Sequence, residues 1–151
     1  MPGYNQGEAP FGLPPTVTTE GVLLYNPATE WTGGGLATNS QDLARWAKVL
    51  YEGEAMPGDY RDTLLDAVPK DSTQQVRYGP DVRYGLGVTI RSTDLGTAYG
   101  HRGWTPGYLS IFEYYPEHDV AVALQVNALG PYDLADYAVR LGRVVVRSNE
   151  G

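Results

Sequence analysis

From Tyr84 to Asn127 the chain alternates, breaks at a glycine or proline turn, and alternates again. Val82 to Arg91 sets Tyr84, Leu86, Val88 and Ile90 on one side and Arg83, Gly85, Gly87, Thr89 and Arg91 on the other. That period of two is the mark of a half-buried strand, and its glycines mark places where something packs close to the backbone. Thr97 to Gly103 makes a second strand. Thr105-Pro106-Gly107-Tyr108 suits a type II turn, with Pro second and Gly third, and leads into a third strand, Tyr108 to Tyr115. A turn over Pro116 to Asp119 opens a fourth, Val120 to Asn127, in which Val120, Val122, Leu124 and Val126 line one face and Ala121 and Ala123 the other. Apolar residues on both faces predict a central strand covered by helices on each side. The expectation is an antiparallel sheet with strands near 82–91, 96–103, 108–115 and 119–127.

Two helices are legible. After Gly33-Gly34-Gly35, the run Thr38-Asn39-Ser40-Gln41 fits a capping box with Thr38 as N-cap. Asp42 complements the dipole of the first turn. Leu43, Trp46, Ala47 and Leu50 recur at helical spacing, and Gly53 is a C-terminal stop. A final helix over Pro131 to Arg147 carries a stripe of Leu134, Ala138, Leu141 and Val145, with Arg140, Arg143 and Arg147 toward the favourable C-terminal end. Tyr60 to Val68 reads as a short helix stopped by Pro69. The fold class that results is α+β: an antiparallel sheet flanked by helices. Residues 1–30 form an extended N-terminal arm punctuated by Pro2-Gly3, Pro10, Gly12, Pro14-Pro15 and Asn26-Pro27, with Val22-Leu23-Leu24-Tyr25 as its one apolar run. A wrapping or functional arm and a disordered terminus both fit it. Residues 31–151 form the domain. Arg77-Tyr78-Gly79 and Arg83-Tyr84-Gly85 echo each other at too short a spacing to be a structural repeat.

The 151 residues carry a net charge of −7, with only Lys48 and Lys70 as lysines. That argues against nucleic acid, where phosphate neutralisation needs clustered Lys and Arg. No apolar run approaches the ~20 residues of a membrane helix. Met1 is followed at once by a Gly/Pro-rich polar stretch, not a signal peptide. Without cysteine there are no disulfides or thiolate metal sites. Tyr outnumbers Phe twelve to two, so many large side chains bring a hydroxyl that needs a partner, as on half-buried sheet faces and cleft walls.

Few residues offer chemistry. No phosphate-binding G-x-x-x-x-G-K-[ST] occurs, and Gly85-Leu86-Gly87 is not completed to G-x-G-x-x-G. His101 and His118 are too far apart, and without Cys, for metal-ligand spacing; neither metal nor cofactor is expected. Glu117-His118-Asp119 reads as a solvated hairpin tip. His101 stands near the end of a strand, after Gly100 and two before Gly103, where another backbone or a ligand comes close. A structural and a ligand-contacting histidine both fit that position.

These motifs, taken in order, resemble the C-terminal part of the β-lactamase/transpeptidase-like serine hydrolases, in particular the class C-like, D-aminopeptidase and esterase branch. His101-Arg102-Gly103 looks like the H-x-G form of that family's third motif. Gly34-Gly35-Leu36 with Asp42-Leu43-Ala44-Arg45, Tyr84-Gly85-Leu86-Gly87, Thr105-Pro106-Gly107-Tyr108, Tyr115-Pro116 and the apolar strand ending at Asn127 follow in family order, over about residues 20–147. The resemblance implies that His101 contacts substrate or polarises the site, that Gly103 keeps the strand open to the substrate backbone, and that the Trp104 N–H is one oxyanion donor. Arg102 departs from the usual Thr or Ser; it binds a carboxylate itself or faces solvent. A periplasmic or extracellular setting is implied as well.

The nucleophile motif is missing. The fourth residues after Ser40, Ser72, Ser92 and Ser110 are Leu43, Gln75, Leu95 and Glu113, so there is no S-x-x-K, and there is no Y-x-N or S-x-N. Without a serine and its base, acylation cannot occur. The first expectation is therefore the C-terminal portion of a serine hydrolase, a partial domain lacking the N-terminal nucleophile segment. The full-length protein would cleave a small-molecule or peptide substrate (peptide, amide, ester or β-lactam) through an acyl-enzyme, and this chain alone would be inactive. Its partner would be that missing half, or a second copy. The alternative is a non-catalytic binding or interaction module of the same descent, and the third is a generic α+β domain.

Overall fold

The computed structural model describes residues 4–5, 26, 28, 31–67, 82–105, 107–149 and 151. Most of the expected arm over residues 1–30, the Val68-Pro69 helix stop, Arg77-Tyr78-Gly79 and Pro106 lie outside them. Strands β2 (Val82–Tyr84), β3 (Thr89–Thr93), β4 (Gly96–Thr105), β5 (Tyr108–Tyr115) and β6 (Val120–Val126) form one antiparallel sheet in that spatial order. Consecutive strands pair because each connection is a tight turn, too short for a crossover. A separate two-residue parallel pairing joins β1 (Tyr4–Asn5) to β7 (Ala128–Leu129). Helices α1 (Trp31–Gly34), α2 (Ser40–Glu52) and α3 (Arg61–Leu65) precede the sheet, and α4 (Leu134–Asn149) follows it.

The sheet separates two cores. On one face Ala47 and Tyr51 of α2 pack with Val88, Ile90 and Tyr114, flanked by Leu50, Leu64, Leu65, Tyr99 and Phe112. The Tyr51 ring lies 5.7 Å from Tyr99, 6.3 Å from Phe112 and 6.5 Å from Tyr114, centroid to centroid. On the other face Ala98, Ile111, Tyr115, Val120 and Val122 meet Leu134, Ala135, Ala138 and Val146 of α4. The architecture is the expected α+β sheet with helices on both faces.

Several local expectations are corrected. The run 82–91 is not one strand but a hairpin: Gly85 N–H donates to the Val88 carbonyl at 2.8 Å, and Gly87 takes φ +73°, a left-handed conformation that glycine adopts without penalty. Leu86 is thereby turned out to solvent. The α2 N-cap is Asn39, not Thr38. Asn39 Oδ1 accepts the Asp42 N–H at 2.9 Å while its Nδ2 donates to Asp42 Oδ2 at 2.7 Å, so the reciprocal cap lies one residue later than the capping box predicted. Trp46 is half exposed and Tyr51 takes its expected place inside. On α4, Leu141 is 39% exposed and Gly142 is buried. A side chain at 142 would press on Leu95 and Tyr115, so the helix approaches the sheet closely there and rotates Leu141 outward. Finally, β6 is covered by helices on both faces, as expected, but stands at the edge of the described sheet rather than at its centre.

Candidate functional site

β4 is the longest strand, and it outruns its neighbour: β3 pairs with residues 96–100 and ends opposite Gly100. His101, Arg102 and Gly103 have β5 on one side and no β3 residue opposite on the other. Strand alternation divides the expected site. His101 stands across from Phe112 and Gly103 across from Ser110, on the face that carries Tyr51 and Tyr99; Arg102 stands across from Ile111 and Trp104 across from Leu109, on the α4 face. The structure thus places the His101 side chain and the open face of Gly103 on one side of the sheet and sends the side chains of Arg102 and Trp104 to the other.

Both ring nitrogens of His101 are engaged. Nδ1 lies 2.7 Å from the Arg102 carbonyl oxygen and Nε2 lies 2.8 Å from the Tyr84 hydroxyl. The Tyr84 ring meets the imidazole edge-on, at 5.8 Å between centroids. Space above Gly103 is filled from within the sheet, since a Cβ there would collide with Ser110 Oγ. Ser110 in turn pairs across β6 with Gln125. Gln125 accepts from Ser40 Oγ at 3.0 Å and donates to the Thr38 carbonyl at 3.3 Å. His101, Ser110, Gln125 and the start of α2 therefore form a polar shelf beyond the aromatic core, half-buried at His101 and Ser110 and exposed at Gln125. Its groups are hydroxyls, one amide and one imidazole, a set suited to hydrogen bonding a carbonyl or an amide. The sequence alone does not mark Tyr84 and Ser110 as members: Tyr84 enters only as a strand residue and in the Tyr84-Gly85-Leu86-Gly87 motif, and Ser110 only as a serine without S-x-x-K. Strand register was the signal for Ser110; none pointed from Tyr84 to His101.

The opposite face carries an open concavity of about 790 Å³, lined among others by Arg91, Asp94, Arg102, Tyr132, Asp133 and Arg143. Arg102 is exposed there, away from His101. Beneath it, Arg91 Nε and Nη2 donate to the two oxygens of Glu113 at 2.7 and 2.9 Å, and Tyr115 Oη donates to Glu113 Oε2 at 2.6 Å. Glu113 is 1% exposed. Gly100, directly opposite, makes room for it, since a Cβ there would strike the Phe112 carbonyl and crowd Glu113. Burial, with Glu113 beside it, pushes the Tyr115 phenol well up. This network ties β3, β5 and α4 together; Arg91 also reaches the Ala135 carbonyl. At the β5–β6 turn Lys48 bonds Asp119 and Glu52, which raises the Lys48 ammonium and lowers the Asp119 carboxyl. The turn residues Glu117 and Asp119 thus anchor the turn, Glu117 by accepting the Thr97 N–H at 3.0 Å. Among the described residues no group of His, Asp or Glu is placed to hold a metal ion, and no helix is long and apolar enough to cross a membrane.

No curated protein matches the chain. Among solved structures it is similar to a D-stereospecific amidohydrolase from Streptomyces sp., with a TM-score of 0.61 and 21% identity over 85% of this chain. The chain spans 35% of that protein's length. At that identity the likeness shows the fold, and it is the expected one: an antiparallel sheet flanked by helices in the β-lactamase-like manner. The Beta-lactamase family model matches residues 3–146, nearly the whole chain, and on that match the chain belongs to the Beta-lactamase family.

Proposed function

We propose that this chain is the C-terminal portion of a serine hydrolase that cleaves an acyl bond through an acyl-enzyme. The observation that carries the reading is the overhang of β4 past β3, which leaves the His101-Arg102-Gly103 stretch without a β3 partner among the described residues. His101 contacts the substrate, and the Trp104 N–H serves as one of two oxyanion donors. The serine, supplied by a segment bearing S-x-x-K, attacks the carbonyl carbon; the leaving group departs with a proton, and water releases the acyl group. An amide is the favoured substrate class, from the named activity of the structural neighbour; peptides, esters and β-lactams share the same reaction. Arg102 does not act beside His101 in this reading, because its side chain lies on the other face.

The partner this reading requires is the nucleophile-bearing half of the domain. Support comes from the β6 edge, seven residues without a charge or proline, and from the large apolar side chains left exposed at Trp31, Leu36 and Trp46. A second reading, a non-catalytic binding module, is favoured by the two separate cores already closed on both faces of the sheet. The experiment assays the purified chain, and the chain mixed with a family segment carrying S-x-x-K and Y-x-N, against nitrocefin, p-nitrophenyl acetate and D-amino-acid amides. The chain alone should show no turnover above background. Turnover on mixing that falls when His101 is replaced by Ala supports the hydrolase; tight association without turnover supports the module. Hydrolysis by the chain alone, abolished by replacing one of its own serines, overturns both.

A further inference from the structure

We infer that Tyr84 is the positioning residue for His101: it holds the imidazole as the Nδ1–H tautomer and caps the Nε2 lone pair, so that Nε2 reaches a ligand only when Tyr84 lets go. The inference rests on the proposed function for its catalytic meaning, but not for its test. A carbonyl oxygen only accepts hydrogen bonds. Nδ1, 2.7 Å from the Arg102 carbonyl, must therefore carry the proton. In the neutral ring Nε2 is then the acceptor, and the group 2.8 Å from it is the Tyr84 hydroxyl, which donates.

The position of Tyr84 is over-determined. It is the last residue of β2, and the next residue, Gly85, is clamped: its N–H donates to the Val88 carbonyl at 2.8 Å, and any Cβ there would collide with the Leu64 carbonyl at the end of α3. Leu86 N–H bonds that same carbonyl at 3.0 Å. The β2–β3 turn is thereby pinned to α3, and it delivers the phenol to the end of β3, where β4 loses its neighbour and His101 begins. A ring held by one carbonyl alone still swings about its side-chain torsions; a contact at each ring nitrogen, together with the edge-on ring pair, fixes both tautomer and orientation.

The test is nitrogen-15 spectroscopy of the imidazole in the whole chain. Only two histidines are present, and His118 lies exposed at the β5–β6 turn, so His118→Gln leaves His101 as the single signal. In the neutral ring the expected pattern is a protonated Nδ1 and an unprotonated, hydrogen-bonded Nε2. Tyr84→Phe removes one oxygen. With backbone amide signals away from residue 84 unchanged, it should release the Nε2 signal toward that of a free imidazole and move the tautomer mixture toward Nε2–H. Tyr99→Phe, on the same sheet face, should do neither. A protonated Nε2 in the parent chain, or an Nε2 signal that Tyr84→Phe leaves in place, overturns the inference. Neither result depends on turnover, so a failure here is distinct from a failure of the hydrolase reading.

Discussion

Gly100 and Glu113 show how one missing side chain sustains a buried charge. Glu113 crosses the strand opposite Gly100 to reach Arg91 and Tyr115. Gly100→Ala drives a methyl into the Phe112 carbonyl and Glu113 and should cost about 3 kcal/mol, the upper part of the overpacking range. Glu113→Ala leaves the Arg91 guanidinium mostly buried without its carboxylate and should cost about 3–5 kcal/mol. Urea unfolding of each variant measures both, and a Glu113→Ala loss below about 1 kcal/mol would show that Arg91 finds water instead. The tyrosines set the alkaline limit. Burial raises the Tyr51 and Tyr115 phenols and pushes Tyr114 up to about 12, with Glu52 and Asp119 adding to the last. A raised folded value means that the folded chain holds its phenolic protons where the unfolded chain, ionising near ~10, has lost them. Stability is therefore full below about pH 10 and falls as pH rises toward 12 and beyond. Phenolate absorbance and circular dichroism should change together over that window, and complete ionisation without loss of ellipticity would contradict it.

At the scale of elements, helix ends and helix rotation were the fine details that local pattern misplaced. Thr38 and Asn39 are both good caps, and sequence offered no way to choose; packing did, through the bonds from Gln125 and Ser40 that hold the Thr38 carbonyl and the start of α2 against β6. Asn39→Ala should cost about 1 kcal/mol and Thr38→Ala only a few tenths, as thermal unfolding of the two variants can show. Equal losses would return the cap to Thr38. The same holds for α4. Its pattern admitted Leu141 as a core residue, but the close approach at Gly142 rotates the buried stripe to Leu134, Ala135, Ala138, Gly142 and Val146. The β2–β3 hairpin was hidden because alternation continues through Gly85-Leu86-Gly87, and only the pinning of that turn to Leu64 bends the chain back.

For the whole molecule, the open side matters most. On α4, Val139, Asp136 and Arg143 face the concavity beside β2 and β3, which leaves Tyr137, Leu141 and Val144 on the other flank, toward the β6 edge, and all three are exposed. A strand without charges at the edge of the described sheet, beside an apolar helix flank, invites another chain. The purified chain should therefore self-associate, or bind the nucleophile-bearing segment that the proposed function requires. Leu141→Lys with Val144→Lys should lower that association while changing stability by less than about 0.5 kcal/mol per site. Light scattering with amide exchange on dilute protein tests this, and a monodisperse monomer with protected amides throughout β6 would contradict it.

By itself the sequence determined the sheet, its antiparallel order and the helices on its two faces, because period-two and period-3.6 patterns and Gly/Pro turns are local properties of the chain. It also determined the absence of a serine nucleophile motif, and the resemblance of His101-Arg102-Gly103 was legible from order and spacing alone. Only the tertiary structure decided which of those residues share a face, that β6 stands at the edge of the described sheet, and that Tyr84 meets His101 across seventeen residues. Those contacts depend on where one strand stops relative to the next, and that register is set by packing between distant segments, which no local pattern records.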